Sequence, residues 1–171
     1  MDYFYEHNCL YFKQKAQRRS IIVEGKQFFL SFPEILFVAN CLHDSAKFKM
    51  THYTYVSFYV NKKYYKIPLY NIYDGGLVCL GNPYQNTFNS LKEIKEFILT
   101  NFWKRSFKYE YSSAASYLNY KKRKLMISDL NKWQEKTKKN KKWVPSARNL
   151  IEVGPFTEIK FEAFERMEKA K

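Results

Sequence analysis

Residues 51–67 read THYTYVSFYVNKKYYKI, and this stretch decides the fold class. Its first part, Thr51–Val60, is dense in Tyr, Thr, Val and Phe, which is the composition typical of a β-strand. The polar triplet Asn61-Lys62-Lys63 then turns the chain into a second run, Tyr64–Ile67. The stretch therefore predicts a β-hairpin, and we expect an antiparallel sheet formed by residues up to about 67.

The upstream residues predict further strands of the same sheet. Two short apolar runs, Leu10–Phe12 and Ile21–Val23, are separated by the basic stretch Lys13–Arg19, which we interpret as a charged turn. The run Phe28–Val38 is strongly apolar, but Pro33 lies in its middle. Because proline cannot donate a ladder hydrogen bond, this run predicts an edge strand, a bulge or a break, with a helix beginning at Pro33 as the alternative.

Downstream of the hairpin the pattern changes from strands to a loop and helices. Residues Pro68–Pro83 contain Asp-Gly-Gly and Asn-Pro and predict a long ordered loop. A helix follows, capped by Asn89 or Ser90, with Glu93 in the position of a capping box. Its apolar residues recur at helical spacing: Leu91, Ile94, Phe97, Ile98 and Phe102.

The C-terminal part predicts a polar linker and two more helices. Ser112–Leu118 has the composition of a linker. Lys124–Lys139 predicts a basic helix, and Glu158–Lys171 predicts a final short helix, separated by Gly154-Pro155. The apolar anchors of the basic helix are Leu125, Ile127 and Leu130. The chain as a whole is thus expected to be an α+β protein with a basic helical C-terminal extension.

Composition and charge limit the class of protein. The chain has 171 residues, of which 46% are hydrophobic, enough for a single sizeable core. The net charge is +14, and Lys121–Trp143 holds ten Lys or Arg residues against two acidic ones, a net of +8. Such an excess indicates an anionic partner, either nucleic acid or an acidic protein surface, or simply a solvated helix. In the first case Lys121–Lys142 would contact phosphates while Trp133 and Trp143 stack on bases.

The sequence shows no membrane or secretion signal. No stretch approaches the roughly 18 apolar residues that a membrane-spanning helix needs, and the N-terminus lacks the layout of a signal peptide. Three cysteines, Cys9, Cys41 and Cys79, are an odd number in a chain that is large enough to fold without disulfides. We therefore expect a cytoplasmic protein without a membrane partner.

Common catalytic motifs are missing. The sequence contains no phosphate-binding glycine loop, HExxH or GxSxG. His7-x-Cys9 and Cys41-x-His43 could in principle provide four zinc ligands, but their spacing is not that of a zinc finger. No metal or cofactor is expected.

One loop segment carries a specific signal. Residues 66–81 read KIPLYNIYDGGLVCLG, and Asn71 lies eight residues before Cys79. This segment resembles the active-site loop of ubiquitin-conjugating (E2) enzymes, in which His-Pro-Asn, an aliphatic residue and a glycine turn precede the catalytic Cys-Leu. The His and Pro of that family are Leu69 and Tyr70 here.

Bacterial E2-like proteins of mobile elements look closer, in particular protein B of the PRTRC gene cluster (prokaryotic E2 family D type). They enter the loop from a Pro-containing strand and read Asn-aliphatic-aromatic, a glycine turn and Val-Cys-x-Gly. Phe102–Phe107 is similar to the aromatic-rich end of their following helix, and Phe32–Phe37 looks like their upstream apolar strand. The resemblance covers roughly residues 28–110.

The resemblance implies a fold, an activity and partners. It implies an E2-like domain over residues 1–110, followed by an extension over residues 111–171. Cys79 would carry a ubiquitin-like modifier, received from an E1-like adenylating enzyme, as a thioester, and Asn71 would stabilise the tetrahedral intermediate of the transfer to an amine. Asp74 is the nearest acid that could help to deprotonate this amine.

Two alternatives remain open at the level of sequence. Cys79 in Leu-Val-Cys-Leu could be an ordinary buried residue at the end of a strand. The chain could also be a non-catalytic E2-like or unrelated interaction module that binds nucleic acid or an acidic partner through Lys121–Lys142.

Overall fold

A computed structural model describes residues 3–69, 71–73, 75–81, 86–104, 107, 111–112, 117 and 125–170. The described residues form a mixed α+β fold, as the sequence predicts, with antiparallel strands and three α-helices. The strands are β1 (Tyr3–Glu6), β2 (Cys9–Gln14), β3 (Gln17–Val23), β4 (Lys26–Phe32), β5 (Glu34–Asp44), β6 (Lys47–Val60), β7 (Lys63–Tyr65), β8 (Asn71–Ile72), β9 (Thr87–Phe88) and β10 (Tyr111–Ser112). The helices are α1 (Leu91–Lys104), α2 (Leu130–Lys139) and α3 (Pro155–Lys169), with short 3-10 turns at Met126–Ser128 and Ala147–Asn149.

The main sheet has the strand order β1-β2-β5-β6-β7, and β9 pairs with the far end of β6. All of these pairings are antiparallel. Strands β3 and β4 form a separate hairpin between β2 and β5 in the sequence, and β8 pairs in parallel with β10. The long pairing of β5 with β6 therefore lies at the centre of the sheet.

The predicted hairpin of β6 and β7 is confirmed. β6 begins at Lys47, four residues earlier than the predicted Thr51, because it continues along β5 as far as the pair Asp44–Lys47. The turn residues Asn61 and Lys62 have φ values of 53° and 59°. Two left-handed residues between antiparallel strands are typical of a tight hairpin turn whose twist matches that of the sheet.

Two expectations about the N-terminal part are corrected. The basic stretch is not simply a turn, since β2 continues to Gln14 and β3 already begins at Gln17. Arg19 lies in β3, where its guanidinium group stacks 4.6 Å over the Trp103 ring. At Pro33 the chain breaks between β4 and β5, so the alternative of a helix beginning there is wrong.

The predicted cap of the first helix is confirmed. Ser90 Oγ accepts a hydrogen bond of 3.2 Å from the Glu93 N–H, and the Glu93 carboxylate accepts one of 2.9 Å from the Asn89 N–H. These bonds satisfy donors that the start of a helix leaves without a partner. The buried face of the helix is formed by Ile94, Ile98, Phe102 and Trp103.

The C-terminal helices differ from the predicted bounds. Helix α2 begins at Leu130, capped by Asp129, and the anchors Leu125 and Ile127 are buried but precede the helix. The final helix begins at Pro155, whose ring suits the first helical position, and ends at Lys169.

The polar linker is wrong at the positions that the structure describes. Ser112 belongs to β10, and Tyr117 is fully buried, with its hydroxyl donating to Lys66 O and accepting from the Ile151 N–H. A side chain that joins two distant segments in this way is part of the core and not of a linker.

The main sheet is covered on both faces. One face packs against the β3–β4 hairpin, α1 and α2, in a core that includes Phe32, Phe102 and Trp133. The other face carries a smaller cluster in which Phe161 and Phe164 of α3 cover the sheet. Among the described residues, no helix is both long enough and apolar enough to cross a bilayer.

Candidate active site

The loop after β7 folds back on itself and brings Asn71 next to Cys79. The Cys79 N–H donates a hydrogen bond of 3.2 Å to Asn71 O, and Ile72 and Val78 form an antiparallel bridge. Asn71 and Cys79 therefore lie directly opposite each other on neighbouring extended segments. The Cβ atoms of such cross-strand pairs are about 5 Å apart. We call residues 71–79 the Cys79 hairpin.

The Cys79 hairpin is attached to the main sheet at the edge of β6. The Val78 N–H donates to Thr54 O at 2.8 Å, and the Val56 N–H donates to Gly76 O at 2.9 Å. On the other side of the hairpin, β10 pairs in parallel with β8. The candidate site is thus built on sheet hydrogen bonds, which fix its register.

Strand alternation directs the reactive side chain outward. Val78 and Leu80 are buried in the core, whereas Cys79 between them is exposed. Asn71, its cross-strand neighbour, is half-buried. The interpretation of Cys79 as an ordinary buried residue is therefore wrong.

A glycine and a threonine fix the turn of the hairpin. Gly76 has φ +80°, and a Cβ atom on it would lie 2.8 Å from Val56 O. The same Cβ position is 3.8 Å from Thr157 Cγ2, in the first turn of α3. Thr157 is buried, so the N-terminal turn of α3 supports the hairpin from the side. Sequence reasoning missed Thr157, because it follows the loop by some 80 residues and belongs to no local motif.

Three other positions of the loop were compared with the E2 pattern or predicted to act in it. Asp74, the predicted acid, lies outside the described residues, as does Tyr70. Leu69, at the position of the E2 histidine, is fully buried in the core. Its side chain therefore helps to anchor the loop and supplies no ionisable group.

The two other thiols differ from Cys79 in their environment. Cys41 is fully buried, and this burial, followed by the nearby Cys9, raises the pKa of its thiol to about 12. Cys9 is half-buried, and none of the three cysteines forms a disulfide. Within the part of the chain that the structure describes, no group of three or more His, Cys, Asp or Glu side chains could hold a metal ion.

A second feature is the lysine-rich face of α2. Lys132, Lys136 and Lys139 line a surface groove of about 260 Å³ together with Met126 and Glu135. These lysines recur at i, i+4 and i+7, so they lie along one face of the helix. We call them the α2 lysine row.

The predicted base stacking by Trp133 is wrong. This side chain is fully buried, and its indole N–H donates to Ser31 O at 3.0 Å. Trp143 is half-buried and packs against the main core. The exposed surface of α2 therefore carries lysine side chains, whereas the Trp133 ring is not part of it.

No protein-family model, curated protein or solved structure matches this chain. Its function is therefore argued from the geometry of the Cys79 hairpin and the α2 lysine row.

Proposed function

We propose that this protein is an E2-like conjugating protein that carries a ubiquitin-like modifier as a thioester on Cys79. The observation that supports this best is the pairing of an exposed Cys79 with Asn71, directly opposite it, on a hairpin held by the main sheet. An exposed thiol is accessible to the carboxyl terminus of a second protein. A hairpin fixed by sheet bonds holds this thiol and a side-chain amide together.

Loading transfers an acyl group between two thiols. The Cys79 thiolate attacks the carbonyl carbon of the thioester on an E1-like adenylating enzyme. A new bond forms between this carbon and Cys79 Sγ, the old carbon–sulfur bond breaks, and the thiolate of the E1-like enzyme leaves. The chemistry requires no metal or cofactor on this chain.

Discharge transfers the acyl group to an amine. The amine nitrogen attacks the thioester carbon, negative charge develops on the carbonyl oxygen, and the Cys79 thiolate then leaves. A side-chain amide N–H of Asn71 would stabilise the charged oxygen, a role that suits its position across from Cys79. Asp74 stays a candidate for accepting the proton of the amine.

Loading is tested with an E1-like enzyme, its modifier and ATP. We expect a covalent adduct of the wild-type chain that thiol reagents release. Cys79→Ser should give an adduct that resists thiols, because an oxygen ester replaces the thioester, and Cys79→Ala should give none. Cys41→Ala is the matched control, since Cys41 is buried and lies outside the hairpin, and it should load like the wild type. An unchanged thioester adduct on Cys79→Ser, or no adduct on any variant while the E1-like enzyme itself is charged, would contradict the proposal.

The role of Asn71 is tested by measuring discharge to an amine separately from loading. Asn71→Ala should still load, because the hydrogen bond from the Cys79 N–H is accepted by the main-chain oxygen of residue 71. Transfer from the loaded variant to free lysine should slow by about 100- to 1,000-fold, the usual effect of removing one oxyanion donor. Equal discharge rates for wild type and variant would remove Asn71 from the mechanism.

The α2 lysine row supports a second candidate function, binding of the nucleic-acid backbone. Lys132, Lys136 and Lys139 lie on one face of α2, whereas Trp133 is buried beside this face. Contacts between lysine side chains and phosphates are independent of base sequence and weaken steeply with salt. Because Trp133 is buried, affinity for nucleic acid on this face would come from the lysine charges and not from the base stacking that the sequence predicts.

This second function is tested with a short fluorescent DNA duplex at increasing salt. Replacing the three lysines of the α2 lysine row by Gln should weaken binding and reduce the salt slope by up to about three, one unit for each lost phosphate contact. The control replaces Lys26, Lys47 and Lys62, which are exposed elsewhere, and has the same net charge. Equal loss in both triple variants, or equal competition by polyglutamate, would contradict a nucleic-acid site on α2.

A further inference from the structure

Strand β6 contains a bulge close to the Cys79 hairpin. The register of its pairing with β5 shifts between Ala39 and Cys41, where Asn40 alone lies opposite the three residues 51–53. Extra residues of this kind bend a strand and turn its side chains in new directions, and they are frequent beside active sites. We call residues 51–53 the β6 bulge.

One side chain holds the β6 bulge in place. Thr51 Oγ1 donates a hydrogen bond of 3.4 Å to Asn40 O and accepts one of 3.2 Å from the Tyr53 N–H. The hydroxyl group thus bonds to main-chain groups at the point where the extra residues interrupt the pairing of the strands. The bulge is therefore a defined feature of β6.

The β6 bulge turns His52 to the same side as Tyr53. The centroids of their rings are 4.0 Å apart, with an angle of 43° between the ring planes. Consecutive side chains of a regular strand point to opposite faces, which would keep two such rings apart. The contact therefore shows that His52 departs from the alternation of the strand, and both side chains are exposed.

Main-chain bonds place the β6 bulge beside the reactive thiol. The Val78 N–H donates to Thr54 O at 2.8 Å, and the next residue on each segment is Cys79 on the hairpin and Tyr53 on β6. Because Val78 and Thr54 are both buried, the side chains of Cys79 and Tyr53 emerge on the opposite, outer side. The His52 ring therefore lies next to a ring that neighbours Cys79 across the strands.

The other two histidines of the chain lie elsewhere. His7 is in the turn between β1 and β2, and His43 contacts the Phe48 ring, with centroids 4.5 Å apart, where β5 and β6 meet at their far end. An imidazole exchanges a proton near neutral pH, which suits it to general acid–base catalysis. His52 is thus the histidine that the fold places beside the candidate site.

We propose that His52 is the general base of the transfer step and accepts the proton of the amine that attacks the thioester on Cys79. The inference rests on the proposed thioester function. As the amine nitrogen bonds to the thioester carbon, its proton passes to a ring nitrogen of His52. The carbon–sulfur bond then breaks, the Cys79 thiolate leaves with the electron pair, and His52 releases the proton to water. Tyr53 is a positioning residue, since its ring holds the imidazole.

The experiment measures discharge from a chemically loaded protein. The full-length chain is incubated with the thioester of N-acetylglycine and 2-mercaptoethanesulfonate. The Cys79 thiolate attacks the carbonyl carbon, a new carbon–sulfur bond forms, and mercaptoethanesulfonate leaves as a thiolate. Peptide mapping by mass spectrometry locates the acyl group. After removal of the reagent, loss of the acyl group from Cys79 is followed at neutral pH with lysine or hydroxylamine as the nucleophile.

The two nucleophiles separate a general base from a structural residue. His52→Gln should slow transfer to lysine by about 100-fold, because the lysine amine needs a proton acceptor. Hydroxylamine is a weak base that needs no such help, so its rate should stay within about twofold of the wild type. A merely structural change would slow both reactions. His43→Gln is the matched control, since this histidine also contacts an aromatic ring, and it should behave like the wild type with both nucleophiles.

Variants of Tyr53 test the positioning of the imidazole. Tyr53→Phe keeps the ring and should transfer to lysine at the wild-type rate. Tyr53→Leu removes the ring contact and should slow transfer to lysine by about tenfold, with the hydroxylamine rate unchanged. Equal losses in both variants would mean that the phenol hydroxyl acts instead of the ring, which contradicts this role of Tyr53.

The outcomes distinguish the two proposals. Equal transfer to lysine by the wild type and His52→Gln, both faster than from the free thioester of N-acetylcysteine, would overturn the role of His52 and leave the thioester function standing. A selective loss of lysine transfer in Asp74→Asn, and not in His52→Gln, would overturn it in the same way. If Cys79 is not acylated, or if the loaded wild type transfers no faster than the free thioester, the thioester function itself fails, and the role of His52 fails with it.

Discussion

At the scale of single residues, the exposure of Cys79 depends on strand register. Successive side chains of an extended segment point to opposite sides, so Val78 and Leu80 enter the core while Cys79 faces outward. A slip of one residue would bury the thiol and expose two apolar side chains. The register is set in the turn, where Gly76 approaches Val56 O too closely to carry a side chain.

Gly76→Ala should therefore destabilise the protein. The substitution combines a left-handed φ with a contact of 2.8 Å between the new Cβ and a main-chain oxygen, and we expect a loss of about 1–3 kcal/mol in the free energy of unfolding. Gly25→Ala is the matched control, because Gly25 has φ +76° but no atom within 4 Å of the position that a Cβ atom would take. Urea denaturation of both variants measures the difference. A cost no larger for Gly76→Ala than for Gly25→Ala would mean that the hairpin is not pressed against β6.

Cys41 should resist alkylation at a pH where Cys79 reacts. Only the thiolate reacts with iodoacetamide, and burial raises the pKa of Cys41 to about 12, so at pH 9 about one molecule in a thousand has this thiol ionised. We expect Cys41 to be labelled at least about 100-fold more slowly than Cys79 in the folded protein, and at a similar rate in urea. Peptide mapping by mass spectrometry gives both rates. Comparable labelling in the folded state would contradict the burial of Cys41.

At the scale of elements, local signals in the sequence predicted the structure well and distant contacts did not. The β6–β7 hairpin and the cap at Ser90 are encoded within a few residues, and both are confirmed. The exposure of Cys79 could not be derived locally, since it depends on pairing with β6. The start of α2 was missed although its signal is local, since the Asp129 side chain caps the helix by accepting hydrogen bonds from the Asn131 and Lys132 N–H groups.

Helix α2 protects the open edge of β4 with its side chains. Thr137 Oγ1 accepts a hydrogen bond from the Ser31 N–H and forms a second one with Ser31 Oγ, and the Trp133 indole donates to Ser31 O. Gln134 Oε1 accepts from the Phe29 N–H at a more exposed position. A strand edge that is occupied in this way cannot pair with another chain.

Thr137→Val should test this protection. The substitution keeps the shape but leaves the buried Ser31 N–H without its acceptor and removes the bond to Ser31 Oγ, and we expect a loss of about 2 kcal/mol in the free energy of unfolding. Gln134→Ala is the control on the same helix, and should cost less than about 1 kcal/mol because water can reach the Phe29 N–H. Guanidinium denaturation gives both values. Equal costs would show that the buried bonds contribute no more than the exposed one.

At the scale of the whole molecule, the C-terminal segment completes the N-terminal sheet. The Lys66 N–H donates to Ile151 O and the Val153 N–H donates to Tyr64 O, so this segment covers the edge of β7. Helix α3 then lies next to the Cys79 hairpin at Thr157, and its Lys160 lies over the Tyr55 ring of β6. The division into residues 1–110 and 111–171 stays a prediction, but the contacts of the candidate site cross it.

These contacts predict that both parts of the chain unfold together. Phe161 of α3 is fully buried and stacks on Tyr64 of β7 with ring centroids 5.3 Å apart. Phe161→Ala should lower the free energy of unfolding by about 3–5 kcal/mol, whereas Ile159→Ala, at a position that is 67% exposed, should change it by less than about 0.5 kcal/mol. Tryptophan fluorescence and far-ultraviolet circular dichroism should follow one transition in each variant. An early transition of Phe161→Ala in circular dichroism alone would contradict this prediction. It would show that α3 unfolds separately from the sheet, and that the position of α3 next to the Cys79 hairpin is not needed for the fold.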